Sequence, residues 1–341
     1  MPRLPIYTVD AFTLGQQHFT GNPAAVCLIP AHQGLDDPTL QRIAAEMNLS
    51  ETAYVQPILP SDWPTADRSN GGDPTAFQEL TDFHLRWFTP DIEVPLCGHA
   101  TLASAHVLMR ELGNTAPAIQ FHTKSGILRV TKESIPEGDC LNMMLPLNPA
   151  FPLGTNPAEA PAQLMTKKRA EGEEAQLPVF SSEWTSKTQQ IVDSLFDPEN
   201  GTPNVVAVGF SPTIQYLMIH IEGGPSVLRK LKPVFTPSLL ALGHECSYTG
   251  IIVVTTGDGG DLDGAARFFA PWVGVNEDPV TGSAYTVVAP YWQKLTKKPT
   301  ATFIQGGNRQ GKARTFLCPE FEGYVQVSGS GVTFLSGTFH Y

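Results

Sequence analysis

Arg86-Trp87-Phe88-Thr89-Pro90, followed by Cys97-Gly98-His99-Ala100, is echoed later in the chain by Arg267-Phe268-Phe269-Ala270-Pro271 and Thr281-Gly282-Ser283-Ala284. In both copies an aromatic, strand-like stretch stops at a proline and a loop with acidic residues follows. A Gly-polar-Ala step then opens a run of small and apolar residues that reads as a helix. A helix start leaves backbone N–H groups unpaired and carries the positive end of the peptide dipole. Two such starts facing one another would make an anion pocket, and a small carboxylate is the guest that suits it.

Outward from the repeat, the flanking segments predict two similar halves. Ile6 to Phe12 and Ala24 to Ile29 read as a hairpin around Gly21-Asn22-Pro23, and Asp37 to Met47 as a helix with Pro38 in its first turn. Ser50 to Val55 returns to strand character, which sets Glu51 at a helix-to-strand junction. Phe83 to Phe88 is a strand, and Ala100 to Leu112 a helix apolar enough to be buried on most sides, closed by Gly113-Asn114. Alternation resumes over Ile119 to Val130 and Cys140 to Leu145. The second half repeats the order, with strands near 204–209, 215–221, 250–255 and 265–269 and a helix from Ala284 to Leu295. Further strands fall near 300–304, 312–318, 324–328, 332–334 and 337–339. The expected architecture is α+β: two pseudo-symmetric domains, each a curved, mostly antiparallel sheet or barrel around a central hydrophobic helix. The domains are placed at 1–145 and 146–323, with the strands near 324–341 completing the first. Residues 57–77 read as an exposed insertion, and the proline-rich, then charged passage from 146 to 178 as a domain junction.

Composition narrows the function classes. At 341 residues the chain exceeds one average core, and 41% hydrophobic against 16% charged residues is a globular balance. A net charge of −11 opposes nucleic-acid binding, which needs basic surface to displace counterions. Local helix ends can still bind an anion in an acidic protein. Five scattered cysteines with no CxxC pair read as reduced thiols, and no apolar stretch reaches the roughly 20 residues of a membrane span. With no leader-like apolar region near the start, a cytoplasmic location is expected, and neither a nucleic acid nor a membrane is expected as partner.

Asp10-Ala11-Phe12-Thr13 with Gly21-Asn22-Pro23-Ala24-Ala25-Val26, Leu49-Ser50-Glu51-Thr52-Ala53, Leu96-Cys97-Gly98-His99-Ala100-Thr101 and Glu277-Asp278-Pro279-Val280-Thr281-Gly282-Ser283-Ala284 occur in that order. Together they resemble the successive signatures of the PhzF family, the phenazine-biosynthesis-like isomerases, over nearly the whole chain. Gln305-Gly306 with Gly311-Lys312 is similar to a later family element, departing at Lys312 where an arginine is expected. The resemblance implies a diaminopimelate epimerase-like fold, proton transfer without a cofactor, and a homodimer. It also implies chemistry like that of the family's trans-2,3-dihydro-3-hydroxyanthranilate isomerase, and carries the acid/base role to Glu51 and pocket roles to His99 and Asp278. Substrate contacts fall to Gly98, Gly282, Ser283, Asn22 and Gly306.

The residues themselves support such chemistry. Moving a proton between carbons needs a group that both takes and gives it, and fixed donors for developing charge. Glu51 can serve if burial raises its pKa from the ordinary value of about 4.3. Leu49, Ala53 and Tyr54 are the neighbours expected to bury it. A helix cap or a surface pair is its plainer reading. His99, just inside a helix start, is favoured neutral and could pass a proton or bond the substrate; capping is the alternative. Asp278 could orient that imidazole or bind a substrate amine or hydroxyl, against an Asx-turn before Pro279. Ser283 reads as a capping or carboxylate-binding hydroxyl, since no G-x-S-x-G elbow surrounds it.

Three other signals are weaker. Gly306 to Ala313 nearly spells a phosphate-binding P-loop, but Ala313 lacks the hydroxyl for Mg²⁺ and a strand pattern follows where a helix is required. Asp91, Glu93, Cys97 and His99 are dense but lack metal-ligand spacing, so no metal is expected. Cys97 has no partner thiol in the second copy, where Pro279-Val280 stands, which argues against a two-cysteine epimerase. The rival to an isomerase is a binding protein with the same pocket and no turnover.

Overall fold

The computed structural model describes residues 3–63, 75–135, 138–153, 181–196 and 202–341. The chain divides into two compact units, Met1–Met144 with Ser328–Tyr341, and Leu145–Val327.

In the first unit β1 (Arg3–Thr13) pairs antiparallel with β2 (Asn22–Leu28). The bend before β2 requires glycine. Gly21 has φ +77°, and a Cβ there would lie 2.4 Å from the Ala11 carbonyl oxygen. Helix α1 (Asp37–Met47) starts where the Asp36 side chain accepts from the Thr39 N–H, and stops at Asn48 in the left-handed region. It buries Leu40, Ile43 and Ala44 and carries the chain across to β3 (Glu51–Pro57), parallel to β2. Short α2 (Thr75–Glu79) precedes β4 (Asp82–Phe88), antiparallel to β3, and β5 (Glu93–Val94) folds back on β4. Helix α3 (Gly98–His106) continues as a π-helical turn over Val107–Glu111. The chain then forms β6 (Ala118–Thr123), parallel to β4, and the antiparallel β7 (Gly126–Ile135) and β8 (Gly138–Pro146). Every residue of α3 is buried, and the helix packs on β1, β2 and β3.

The second unit repeats this order. It contains β9 (Phe151–Pro152), α4 (Ser182–Ser194), β10 (Val205–Ser211), β11 (Tyr216–Ile221), α5 (Gly224–Lys230), α6 (Pro237–Glu245), β12 (Gly250–Thr256) and β13 (Gly264–Ala270). It continues with β14 (Val275–Asp278), α7 (Ala284–Thr296), β15 (Thr300–Gln305) and β16 (Gly311–Phe316). The pairings β10–β11 antiparallel, β11–β12 parallel, β12–β13 antiparallel, β13–β15 parallel and β15–β16 antiparallel reproduce β1–β2, β2–β3, β3–β4, β4–β6 and β6–β7 in turn. Helix α7 takes the place of α3 and packs on β11, β15 and β16. Opposite the central helices, α1 covers one sheet over Leu4, Ile6, Cys27 and Tyr54, while α4 and α6 cover the other over Phe210, Ile219 and Val253. The fold is therefore α+β, with a curved, mostly antiparallel sheet around a hydrophobic helix in each unit.

The structure corrects several expectations. The last three short strands are one, β17 (Tyr324–His340), whose later part pairs with β1 in the first unit. Its glycines read as breaks but serve packing: a Cβ on Gly329 would lie 2.3 Å from the Phe12 ring, and one on Gly331 2.8 Å from His106. Within the supposed insertion, Phe77 is buried and stacks on Phe83 with ring centroids 6.2 Å apart. The rest of the expected insertion, 64–74, and most of the expected junction, 154–178, lie outside the described residues. Helices α4, α5 and α6 were not anticipated; α4 buries Trp184, Ile191 and Val192.

Candidate active site

The site begins with how each strand-to-helix loop is held. At the end of β4, Arg86 donates from Nε and Nη2 to the two carboxylate oxygens of Glu93, both at 2.8 Å, and from Nη1 to Asp37 at 2.8 Å. At the matching place in β13, Arg267 donates from Nε and Nη2 to Glu277, both at 2.7 Å. Each guanidinium also lies over the aromatic ring two residues on, 5.1 Å from the centre of Phe88 and 4.9 Å from that of Phe269. The acidic residues of the repeated loops thus act as forks that fix the loop leading into each central helix.

In the first unit the loop delivers Cys97, Gly98 and His99 to the start of α3, beside the start of β3. Cys97 stands in extended conformation at the N-cap and its side chain does not cap the helix. It turns to His99 instead, with Sγ 3.4 Å from Nδ1. The other edge of the same imidazole meets two groups: Nε2 is 3.2 Å from Glu51 Oε2 and 3.2 Å from Ser50 Oγ. Ser50 Oγ also lies 3.5 Å from Oδ1 of buried Asn22. Asn22, Glu51, Gly98 and His99 are therefore brought together.

The burial of Glu51 differs from expectation in its source. Its side chain is 16% exposed. Tyr54 takes the opposite face of β3, its hydroxyl donating to the Leu40 carbonyl at 2.6 Å, and Leu49 packs with it beneath α1. Ala53 shares the Glu51 face, and His99 supplies the shielding wall. His99 is itself buried, and loss of hydration pushes its pKa down to about 3. An ionised Glu51 at 3.2 Å pulls the other way, but full burial of the ring dominates and the imidazole is neutral near pH 7.

In the second unit Asp278, Thr281, Gly282, Ser283 and Gly306 form their own cluster. Thr281 Oγ1 donates to the buried Asp278 carboxylate, and Gln305 Nε2 donates to Thr281 Oγ1 at 3.1 Å. Gly306 has φ +105°, and a Cβ there would lie 2.1 Å from the Arg309 carbonyl oxygen. The Ser283 side chain does not cap α7, which corrects the capping reading; its hydroxyl pairs with Tyr216 Oη at 3.0 Å. Neither central helix start is thus covered by its own N-cap side chain. At α7 the N–H groups of Ala284, Tyr285 and Thr286 donate instead to the carbonyls of Thr281, Gly282 and Ser283 at 3.1, 3.2 and 3.1 Å, so only the start of α3 leaves first-turn N–H groups for another acceptor.

Sequence reasoning did not single out Ser50, Thr281, Gln305 or Tyr216. The first three adjoin chosen positions, so neighbouring hydroxyl and amide groups were a usable signal; Tyr216 had none. Of the dense acidic residues before His99, Glu93 is engaged by Arg86. Ligand atoms of Glu51, Cys97 and His99 do lie within 4.8 Å of one another. Cys97 and Glu51 each lie within hydrogen-bonding distance of a different nitrogen of the imidazole. Among the described residues no helix is long and apolar enough to cross a membrane.

A family model described as phenazine biosynthesis-like protein, PhzC-PhzF, matches residues 9–337. A human phenazine biosynthesis-like domain-containing protein is 36% identical over 98% of this chain and 99% of its own. An uncharacterized isomerase of Pseudomonas aeruginosa is 36% identical over 99% of both chains. Among solved structures, a PhzF-family protein from Enterococcus faecalis superposes with TM-score 0.70 at 26% identity, covering 100% of both chains. A hydroxyproline epimerase from Agrobacterium vitis, at 10% identity and TM-score 0.52 over 98% of this chain and 92% of its own, shares the fold.

Proposed function

The chain belongs to the phenazine biosynthesis-like (PhzC-PhzF) family, and from that membership we propose a cofactor-independent isomerase that relocates a proton, and with it a double bond, in a small carboxylic acid. Family membership and the relative described as an isomerase support an isomerase-type enzyme. The finer reading rests on one observation: the partly buried Glu51 carboxylate lies 3.2 Å from a buried, neutral imidazole at a helix start that no N-cap side chain covers.

Glu51 is the acid/base. Its carboxylate takes the proton from a carbon made acidic by a neighbouring unsaturated group and returns it at another carbon, so the double bond shifts and no net charge is left. An imidazolium at 3.2 Å would hold Glu51 ionised and weaken it as a base; a neutral His99 does not. Shielding from solvent supports a raised Glu51 pKa, which lets the same group act as acid at neutral pH. His99, 3.2 Å from Glu51 through Nε2, is assigned to orienting the carboxylate, and Ser50, 3.2 Å from the same nitrogen, to steadying the imidazole. The open N–H groups of Gly98, Gly282 and Ser283, with Asn22, Asp278 and Gly306, are assigned to holding substrate carboxylate and hydroxyl groups. A reaction of the trans-2,3-dihydro-3-hydroxyanthranilate type fits this machinery, and a homodimer is proposed for the assembly.

Incubating candidate acids with the purified protein in D₂O, without additives, tests the reading. Mass spectrometry should show one deuterium gained at carbon in a rearranged product. Binding without exchange for every acid that stabilises the protein would favour a non-catalytic binder instead.

A further inference from the structure

The second unit holds a cavity of 570 Å³ lined by Arg229, Lys230, Lys232, Arg267 and Asn308, together with Leu231 and Pro233. We propose that this cavity binds a small, multiply charged phosphate-bearing molecule, at a site distinct from the Glu51 and Asp278 clusters.

Three observations carry the inference. The first is charge. The chain is strongly acidic overall, yet among the described residues Arg229, Lys230 and Lys232 take part in no ion pair, and no acidic residue is among those lining the cavity; the nearby Glu277 carboxylate is held by Arg267. The second is a prepared backbone. Arg267, buried behind the cavity and committed to Glu277, donates from Nη1 to the carbonyls of Leu228 at 3.2 Å and Leu231 at 2.6 Å. Val234 N–H donates to the Leu195 carbonyl at 2.7 Å on the far side of Pro233. The segment that bears the three bases is therefore fastened at both ends, which lowers the ordering cost of binding.

The third is the glycine-rich turn that nearly spells a P-loop, which contributes Asn308 to the lining. It does not work as one, because no helix follows. Gly306, held by its N–H to the Ala266 carbonyl at 3.0 Å, turns the backbone so that Asn308 reaches the cavity. An amide lining the same cavity as three cations suits an oxyanion that needs both charge and directed hydrogen bonds. Three cations match the two or three negative charges of a phosphate ester or diphosphate better than one carboxylate. The volume lies within the usual range of small-molecule sites, and a long polyanion would be repelled by the acidic remainder.

The test is calorimetric titration of the full chain with pyrophosphate, alongside amide NMR. The proposal expects saturable binding that weakens as salt rises, with shifts at Arg229 to Lys232 and Asn308. The exposed triple variant R229Q/K230Q/K232Q should bind about tenfold or more weakly, the scale of losing charge-assisted contacts, while keeping wild-type unfolding behaviour and solvent-deuterium exchange. E51Q should bind pyrophosphate as the wild type does. No saturable binding, wild-type affinity in the folded triple variant, or loss of binding in E51Q would each overturn the proposal. The last outcome would move the ligand to the catalytic cluster, so this inference and the isomerase reading fail separately.

Discussion

Glu277 holds Arg267 through two hydrogen bonds of 2.7 Å, and the arginine is almost wholly buried, its side chain 7% exposed. The equivalent pair, Arg86 with Glu93, leaves the arginine side chain 32% exposed and shares it with Asp37. Removing the carboxylate charge should therefore cost unequally. E277Q strands a buried guanidinium and should lose about 3–5 kcal/mol of unfolding free energy. E93Q should lose about 1 kcal/mol, because water and Asp37 still serve Arg86. Denaturant unfolding of both variants checks this; equal losses would contradict it.

Gly306 is the second pressure point. Its φ of +105° and the 2.1 Å approach of the Arg309 carbonyl to a Cβ leave no room for alanine. G306A should cost about 1–3 kcal/mol from backbone strain alone, with more from the clash. Thermal unfolding of G306A against G34A gives the control, since a Cβ on Gly34 meets nothing within 4 Å.

Acid should destabilise the first unit through its buried histidines. Burial pushes His99 down to about 3 and His106 to about 4, against an ordinary value of 6.5. Below pH 6.5 the unfolded chain binds protons that the folded chain refuses, so this contribution is complete above pH 6.5 and is lost as pH falls toward 4. The slope is about 1.4 kcal/mol per pH unit for each histidine over that window. H106Q should remove one histidine's share of the slope. An unchanged slope would show that His106 is not held neutral.

Much of this was legible in the sequence, for physical reasons that differ by element. The repeat was visible because a strand, an acidic loop and a glycine-opened helix each have a composition that the chain cannot disguise. Helix α1 was readable from Pro38 and the spacing of Leu40, Ile43 and Ala44. The grouping of Glu51 with His99 followed from the family resemblance rather than from spacing, since 48 positions separate them and only the parallel β2–β3 pairing beside α3 joins them. Tertiary packing hid the rest. The β17 glycines look like turns until Phe12 and His106 are seen to fill their space. Ser283 looks like a cap until Tyr216 takes its hydroxyl. Tyr54 looked like a shield for Glu51 until strand alternation turned it to the other face.

The central claim is that the Glu51 carboxylate carries the proton. Its most direct test is solvent-deuterium incorporation into a turned-over acid by E51Q, an almost isosteric change that keeps a polar group beside His99. The account predicts a loss of exchange of about 10²-fold or more with cooperative unfolding retained. Exchange by E51Q at the wild-type rate would contradict it.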